Sequence, residues 1–356
     1  MESINWWSTD FGEPELENIS QAIHNKKISQ GTVTEEFESR FADMIGAKHA
    51  IAVPSGTAAI YIGLMAQGVK CRDEVITTDY SAIGTAHAAY MMGCKLKFVD
   101  IISADLPVID PVAIEKAITD QTKAIIPVHY NGIQCDMEAI KKIADRHNLI
   151  VVEDAAQAMF SKTKGKFLGT SSKVGCFSLS VAKIISTGQG GLAVTNDTSI
   201  FEQMKKIRNQ ERGEYDIPCF NFKFTDILAS IGLAQLERVP ERIERQKENY
   251  HAYKDGLKNI ESAKFLEVDL EAGQLPLWAL VQCTNRDEIE KFLCEKSIYP
   301  LRFPKPLHTA DYFENIGHYP NANTFAAQGL RLPCGPTQTV QNIQRVIRSL
   351  EEFEKL

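Results

Sequence analysis

The chain has 356 residues, of which 44% are hydrophobic and 24% are charged, and its formal net charge is −7. These values are typical of a globular protein with one or two domains, and the acidic balance argues against a nucleic-acid partner or a basic membrane-binding patch. No apolar run approaches the ~18 to 20 residues that cross a bilayer, and "MESINWWSTD" lacks the pattern of a secretion signal. The eight cysteines occur singly, without zinc-site spacing, so we expect reduced thiols, no metal and a cytoplasmic location.

The first ~210 residues alternate short apolar runs with helical patterns, a signature that predicts an α/β fold. Near-continuous hydrophobicity in the runs indicates a mostly parallel sheet that helices cover on both faces. The predicted strands are 50–53, 74–77, 95–100, 123–130, 149–154, 175–180 and 192–195. Helices are expected between them, for example over 136–147. Upstream, "TVTE" (32–35) has the form of a capping box at a helix start.

The pattern changes near Thr225, where "TDILASIGLAQLERVPERIERQKENYHAYKDGL" predicts one long helix, interrupted or kinked at Pro240. We expect this helix to link a large domain, residues 1–240, to a smaller α+β domain, residues 241–356.

Polar residues at the ends of the predicted strands carry the functional signal, because ligands of open α/β sheets bind at the carboxyl ends of the strands. Ser55-Gly56-Thr57 leads from a strand into a helix, so free backbone N–H groups could hold a phosphate there. The same residues could equally be a plain helix cap.

Two other strand ends carry ionisable groups. Asp154 ends an apolar strand and, if buried, needs a cationic or hydrogen-bonding partner, unless it simply caps a following helix. Lys183 lies between the apolar "FSLSVAK" and the glycine-rich "STGQGG". It is either a loop lysine at the surface or a desolvated amine with a lowered pKa, suited to bond with a carbonyl.

Together, a phosphate site, an acid at a buried strand end and a desolvated lysine are the three features that hold pyridoxal 5′-phosphate. The phosphate anchors the cofactor, the acid keeps the pyridine nitrogen protonated, and the lysine holds the aldehyde.

The sequence resembles the DegT/DnrJ/EryC1/StrS aminotransferases, which have the aspartate-aminotransferase fold and mostly act on nucleotide-linked keto-sugars. The similarity runs in order along nearly the whole chain. The matching segments include "VVEDAAQA", "FSLSVAKIISTGQGGLAVTND" and "FNFKFTDILASIGLAQL". The resemblance implies fold type I, with a large domain built on a mostly parallel seven-stranded sheet and a smaller α+β C-terminal domain.

The resemblance also implies roles for single residues. Lys183 would bond covalently to the cofactor, Asp154 would pair with its pyridine nitrogen, and Gln157 would reach its 3-hydroxyl. The phosphate-binding residues would be Gly56, Thr57, Ser178 and, from the neighbouring subunit of a homodimer with shared active sites, Asn221.

Two positions depart from the family pattern. Lys223 stands where an arginine is common, and Ala82 stands where an aromatic residue stacks on the cofactor ring, with Tyr80 two residues earlier.

The implied activity is transfer of an amino group from L-glutamate to a keto-sugar, for amino-sugar and surface-polysaccharide biosynthesis. A non-catalytic regulator of the same fold and another reaction of the same cofactor, decarboxylation or racemisation, remain alternatives. A dinucleotide-dependent oxidoreductase is disfavoured, because the G-x-G-x-x-G pattern is absent after the first strand. The sugar, its nucleotide and the aminated carbon are not encoded in any recognisable motif.

Overall fold

The computed structural model describes residues 2–210, 218–313 and 317–356, which form two principal sheets with helices packed against them. The strands are β1 (Ile4–Asn5), β2 (His49–Val53), β3 (Glu74–Thr78), β4 (Lys95–Val99), β5 (Thr122–Ile126), β6 (Ile150–Asp154), β7 (Lys162–Thr163), β8 (Lys166–Phe167), β9 (Val174–Ser178), β10 (Gly191–Thr195), β11 (Ala263–Phe265), β12 (Ala279–Cys283), β13 (Ile298–Tyr299), β14 (Leu301–Arg302) and β15 (Gly329–Leu332). The α-helices are α1 (Glu13–His24), α2 (Thr32–Ile45), α3 (Gly56–Ala66), α4 (Ile83–Tyr90), α5 (Pro111–Ala117), α6 (Met137–His147), α7 (Thr198–Asn209), α8 (Asp226–Glu237), α9 (Val239–Gly256), α10 (Arg286–Glu295), α11 (Pro320–Gln328) and α12 (Val340–Phe353).

The larger sheet has seven strands in the order β2-β10-β9-β6-β5-β3-β4. These are the seven predicted strands, so the predicted fold class is confirmed. Only β10 is antiparallel to its neighbours, β2 and β9. The largest overrun of a predicted strand is at 123–130, which ends at Ile126. Pro127 follows, and its ring nitrogen has no N–H to donate to a continuing ladder.

The strand order brings three distant segments to one edge of the sheet. Because β10 is antiparallel to both β2 and β9, those two strands run in the same direction, and β6 is parallel to β9. The carboxyl ends of β2, β9 and β6 therefore lie on the same edge. The central strands are buried on both faces, as Ile125, Val152 and Phe177 show by having no exposed surface.

Helix α6 follows its sequence pattern closely. Asp136 is the N-cap and accepts a hydrogen bond from the backbone N–H of Ala139 at 2.9 Å. Met137, Ile140 and Ile143 are buried, which is the apolar stripe expected of a helix that covers a sheet.

Helix α2 begins by a different device from the predicted capping box. The N-cap is Gly31, which has no side chain to cap the helix, so the assignment of Thr32 to that position is wrong. The buried carboxylate of Asp226, in the first turn of α8, replaces it. Its Oδ1 accepts hydrogen bonds from the backbone N–H of Gly31 at 2.8 Å, and from the backbone N–H and hydroxyl of Thr34 at 2.9 and 2.7 Å. A long-range contact thus satisfies the helix end.

The predicted long helix is interrupted as expected. Helices α8 and α9 meet at Arg238, and Pro240 lies in the first turn of α9. The second sheet follows, with four strands in the order β11-β12-β15-β14, while the N-terminal strand β1 pairs with β13. The division into domains at residue 240 stays a prediction. Among the described residues, we find no helix that combines the length and the apolar character required to cross a membrane.

Replacing Asp226 with alanine is expected to destabilise the fold by about 3 kcal/mol, because three donors lose a buried charged acceptor. The matched control is Asp136→Ala, which removes an exposed cap of α6 and is expected to cost about 1 kcal/mol. Urea unfolding midpoints measure both. Equal losses in the two variants would contradict the long-range cap.

Candidate active site

Lys183 lies in the loop that joins β9 to β10, and its side chain is only 9% exposed. Two contacts from distant segments hold this loop. The indole Nε1 of Trp7 donates to the carbonyl of Val181 at 2.8 Å. The guanidinium of Arg242 donates to the carbonyl of Ile184 at 2.8 Å. The fixed backbone on either side of Lys183 turns its side chain inward, so the alternative of a surface lysine is wrong.

The glycines after Lys183 let the loop return close to the sheet. Gly190 has a φ of +148°, which favours glycine, and it forms a bridge with Ser55. A Cβ on Gly191 would lie 2.4 Å from the carbonyl group of Ser55. Only glycine therefore allows β10 to pass this close to the start of α3.

The electrostatic surroundings of Lys183 favour the neutral amine. Burial lowers the pKa of Lys183 to about 8, against the partly opposing effect of the Asp154 carboxylate, and the Arg331 guanidinium lowers it further. The ammonium and the Asp154 carboxylate interact, yet they form no ion pair within 4.0 Å. The nitrogen of Lys183 and the carboxylate oxygens of Asp154 therefore lie more than 4.0 Å apart.

Asp154, at the end of β6, is a buried carboxylate that accepts two hydrogen bonds. The hydroxyl of Thr85 donates to Oδ2 at 2.6 Å, and the backbone N–H of Ala156 donates to Oδ1 at 3.0 Å. Burial raises the pKa of Asp154, while these two hydrogen bonds and Lys183 act in the opposite direction. A turn rather than a helix follows Asp154, so the helix-cap alternative is wrong.

Gly56, Thr57 and Ser178 lie at the ends of β2 and β9, and we call these three residues the α3 cradle. Ser55 is the N-cap of α3 and accepts from the backbone N–H of Ala58 at 3.1 Å, so a helix cap is present. Gly56 and Thr57 occupy the first turn, where backbone N–H groups point out of the helix. A Cβ on Gly56 would lie 3.2 Å from the Cβ of Ser178. The cap and an anion site are therefore compatible.

Gln157 connects the site to the second sheet. Its Oε1 accepts from the backbone N–H of Asn131 at 3.2 Å. The Asn131 side chain in turn accepts from the backbone N–H of Trp278 at 2.7 Å and donates to its carbonyl at 3.1 Å. The Lys183 Nζ lies 5.3 Å from the centroid of the Trp278 ring. The sequence assigns no role to Asn131 or Trp278, because the contact between them joins segments almost 150 residues apart.

The two positions considered for ring stacking lie in different surroundings. Ala82 is the exposed N-cap of α4. Tyr80 is fully buried, with its ring centroid 4.8 Å from that of Phe325 and 5.3 Å from that of Tyr130. Tyr80 thus belongs to an aromatic cluster beneath the site.

Asn221 and Lys223 are exposed, and no hydrogen bond joins either residue to Lys183, Asp154 or Ser178 within the described chain. Their segment packs against α3 through Phe220 and Phe222, whose rings contact Tyr61. Of the seven predicted site residues, Asn221 is exposed and shares no hydrogen bond with the other six within the described chain.

Two histidines, His129 and His308, have defined partners. His129 is fully buried; its Nδ1 accepts from the backbone N–H of Cys135, so its Nε2 is the donor to Glu153 at 3.0 Å. His308 Nδ1 lies 2.6 Å from Oδ2 of the buried Asp79. Burial raises the pKa of Asp79 to about 6, while His308 opposes this shift.

Replacing Lys183 with methionine is expected to stabilise the cofactor-free protein at pH 7 by up to about 3 kcal/mol, because it removes a charge whose burial is unfavourable. Below pH 8 the amine is protonated in both the folded and unfolded chain, and the full cost applies. Between a pKa of about 8 and the ordinary value of 10.5, the folded chain loses its proton first and the cost declines. Melting temperatures of both proteins from pH 6 to pH 11 test this, and a lower melting temperature for the variant at pH 7 would contradict it.

Comparison with known proteins confirms the resemblance. The model of the DegT/DnrJ/EryC1/StrS aminotransferase family matches residues 9–351. The GDP-perosamine synthase of Escherichia coli O157:H7 is 33% identical over 354 residues, covering 95% of this chain and 95% of that protein. The crystal structure of DesV from S. venezuelae superimposes with a TM-score of 0.93 at 28% identity and covers 100% of both chains. DesI, crystallised in the presence of its TDP-sugar product, gives a TM-score of 0.92 at 25% identity, covering 99% of this chain and 93% of its own.

The family match spans almost the whole chain, and the structural similarity extends over the Lys183 loop and both sheets. This chain therefore belongs to the DegT/DnrJ/EryC1/StrS aminotransferase family and is a transaminase of fold type I.

Proposed function

We propose that this transaminase uses pyridoxal 5′-phosphate to carry an amino group from L-glutamate to a nucleotide-linked keto-sugar, in the biosynthesis of amino-sugars for surface polysaccharides. The observation that carries the proposal is the buried Lys183 amine, which interacts with the buried Asp154 carboxylate without forming an ion pair, in the loop that follows Ser178 of the α3 cradle. We further propose that the protein works as a homodimer in the cytoplasm.

The residues of the site fit this cofactor. The amine and the carboxylate interact electrostatically without forming an ion pair, so each can contact a different atom of a bound ring. The close approach of Gly56 to Ser178 keeps side-chain bulk away from the first turn of α3, so its N–H groups can bind an anion.

Each residue would then have one task. The Lys183 amine would hold the cofactor covalently, the Asp154 carboxylate would accept a hydrogen bond from its pyridine nitrogen, and Gln157 would reach its 3-hydroxyl. Gly56, Thr57 and Ser178 would bind its phosphate. When bound, pyridoxal phosphate supplies an electron sink that stabilises negative charge on the α-carbon of the donor.

Lys183 has a second task once the donor has displaced it. Its pKa of about 8 leaves part of the amine neutral near pH 7, so Nζ can accept the proton of the donor α-carbon. Thr85 and Ala156 donate to the Asp154 carboxylate and favour its charged form, against the larger opposing effect of burial. The Thr85 hydroxyl, itself 2.8 Å from the Ser81 hydroxyl, orients the carboxylate.

The proposed acceptor rests on the names of relatives. The Escherichia coli relative is named for GDP-perosamine, and DesI was crystallised with a TDP-sugar. These two nucleotides differ, so we propose a nucleotide-linked keto-sugar without specifying the nucleotide. Asn221 is exposed and shares no hydrogen bond with the other predicted site residues of its own described chain, which suits the proposed contact with the phosphate site of a second subunit.

The deciding experiment is a panel of nucleotide-linked keto-sugars incubated with the purified holoenzyme and L-glutamate, with products identified by mass. We expect an amino-sugar from at least one GDP- or TDP-linked acceptor, and visible absorption from lysine-bound cofactor. Lys183→Ala should lose both the absorption and the turnover. Absent absorption in the wild type would favour a non-catalytic regulator, and loss of CO2 or inversion of the amino acid would favour decarboxylation or racemisation.

Asp154→Asn is expected to lower turnover on the order of 100-fold or more, because the pyridine nitrogen loses its anionic partner. It should also lower the pKa of Lys183 further, since the carboxylate favours the ammonium form. Rate measurements and a pH titration of lysine reactivity in the cofactor-free protein test the two effects. Unchanged rates would exclude the proposed role of Asp154.

A further inference from the structure

Arg331 lies on β15 and reaches the same aromatic ring as Lys183. Its guanidinium carbon is 4.0 Å from the centroid of the Trp278 ring, and the Lys183 Nζ is 5.3 Å from that centroid. The Lys183 Nζ and the guanidinium carbon of Arg331 therefore lie no farther apart than the sum of these two distances. The ring centroid of Trp6 is also close, 5.9 Å from the guanidinium carbon. Two indoles thus hold the guanidinium beside the reactive amine.

Arg331 is half-buried and lacks the anionic partner that the buried arginines Arg208 and Arg242 have. Arg208 forms an ion pair with Glu38, and Arg242 lies 3.8 Å from the carboxylate of Asp10. For Arg331 no carboxylate lies within 4.0 Å among the described residues, and its Nε is buried without a hydrogen-bond partner. A buried donor atom of a cation without an acceptor is unfavourable, so these surroundings favour the arrival of an anion.

Neighbouring polar groups do not supply the missing charge. The Nε1 of Trp278 is also buried without a partner. The hydroxyls of Tyr80 and Tyr130 are close enough for the guanidinium to lower the pKa of each, against the larger opposing effect of burial, but neither hydroxyl carries a negative charge at neutral pH. The cluster therefore presents donors and a positive charge next to Lys183.

We propose that Arg331 is the residue that binds the α-carboxylate of the amino donor. This inference rests on the proposed function, because it assigns a binding residue to the donor of that reaction. The donor amine must reach the position of Lys183 Nζ, and its α-carboxylate carbon is two bonds from that amine, about 2.5 Å away. The diphosphate of a nucleotide-linked acceptor is separated from the keto carbon by atoms of the sugar, so it would lie farther from the amine.

Arginine has the chemistry that this task requires. Its planar guanidinium can donate two parallel hydrogen bonds to one carboxylate, whereas a lysine offers a single point charge. The contact with the Trp278 ring positions the guanidinium before the donor arrives. Lys223 is exposed and makes no such contact within the described chain, so Arg331 is the better placed cation of the two.

The test uses the holoenzyme and three variants. Arg331→Gln removes the positive charge. Arg331→Lys keeps the charge but cannot donate two parallel hydrogen bonds to one carboxylate. Arg302→Gln is the control. Arg302 stands on the adjacent strand β14 with a 46% exposed side chain, and it pairs with Glu290 instead of facing Lys183. Melting temperatures establish that each variant is folded.

The first readout is calorimetric binding of glutarate, which has carboxylates but no amine and cannot react. We expect Arg331→Gln to weaken this binding on the order of 100-fold and Arg331→Lys about tenfold, while Arg302→Gln leaves it unchanged. The second readout is kinetic. Arg331→Gln should lower kcat/KM for both L-glutamate and L-alanine, which share the α-carboxylate, and leave the KM of the keto-sugar unchanged.

Unchanged glutarate binding and donor kinetics in Arg331→Gln overturn the inference, as does a loss confined to the keto-sugar. If that variant does not fold, the tenfold effect expected of Arg331→Lys decides, and its absence overturns the inference. Failure of the proposed function looks different, because the wild type itself would then transfer no amino group from glutamate. The glutarate titration still tests Arg331 in that case.

Discussion

The buried amine of Lys183 is the constraint on which the rest of the site depends. An ammonium loses much of its hydration there, and the Asp154 carboxylate lies too far away to form an ion pair with it. The fold keeps the amine in this unfavourable position by holding the loop backbone on both sides, through Trp7 and Arg242. The resulting pKa of about 8 leaves part of the amine neutral near pH 7, as the proposed roles of nucleophile and base require.

The sheet topology explains how the remaining groups reach this amine. One antiparallel strand, β10, separates β2 from β9 and lets both end at the same edge as β6. Ser178 and Asp154 end the neighbouring parallel strands β9 and β6. The first turn of α3 comes from more than 100 residues before Ser178 in the sequence. Gly191 makes the arrangement sterically possible, because any side chain there would collide with the backbone of Ser55.

The sequence could predict the parts of the site that stand at the ends of strands. A polar residue after a buried strand is visible in the pattern, so Lys183, Asp154 and Ser178 could be found without a structure. Arg331 and Trp278 could not, because they come from the second sheet, and their relation to Lys183 depends on how the two sheets pack. The prediction of the cap of α2 was wrong for the same reason, because the capping residue is Asp226, almost 200 residues away in the sequence.

The charges of the site also indicate what it binds. Glu153, next to Asp154, is occupied by His129 and by the backbone N–H groups of Gly169 and Ser172, so its charge is directed away from the cleft. Asp154 then stands alone against two cations, Lys183 and Arg331. A site with this balance attracts anions, and the proposed ligands bring two, the cofactor phosphate and the donor carboxylate. The α3 cradle lies at the ends of strands of the larger sheet, whereas the guanidinium of Arg331 comes from the second sheet. Two anions can therefore be bound at once without sharing a donor.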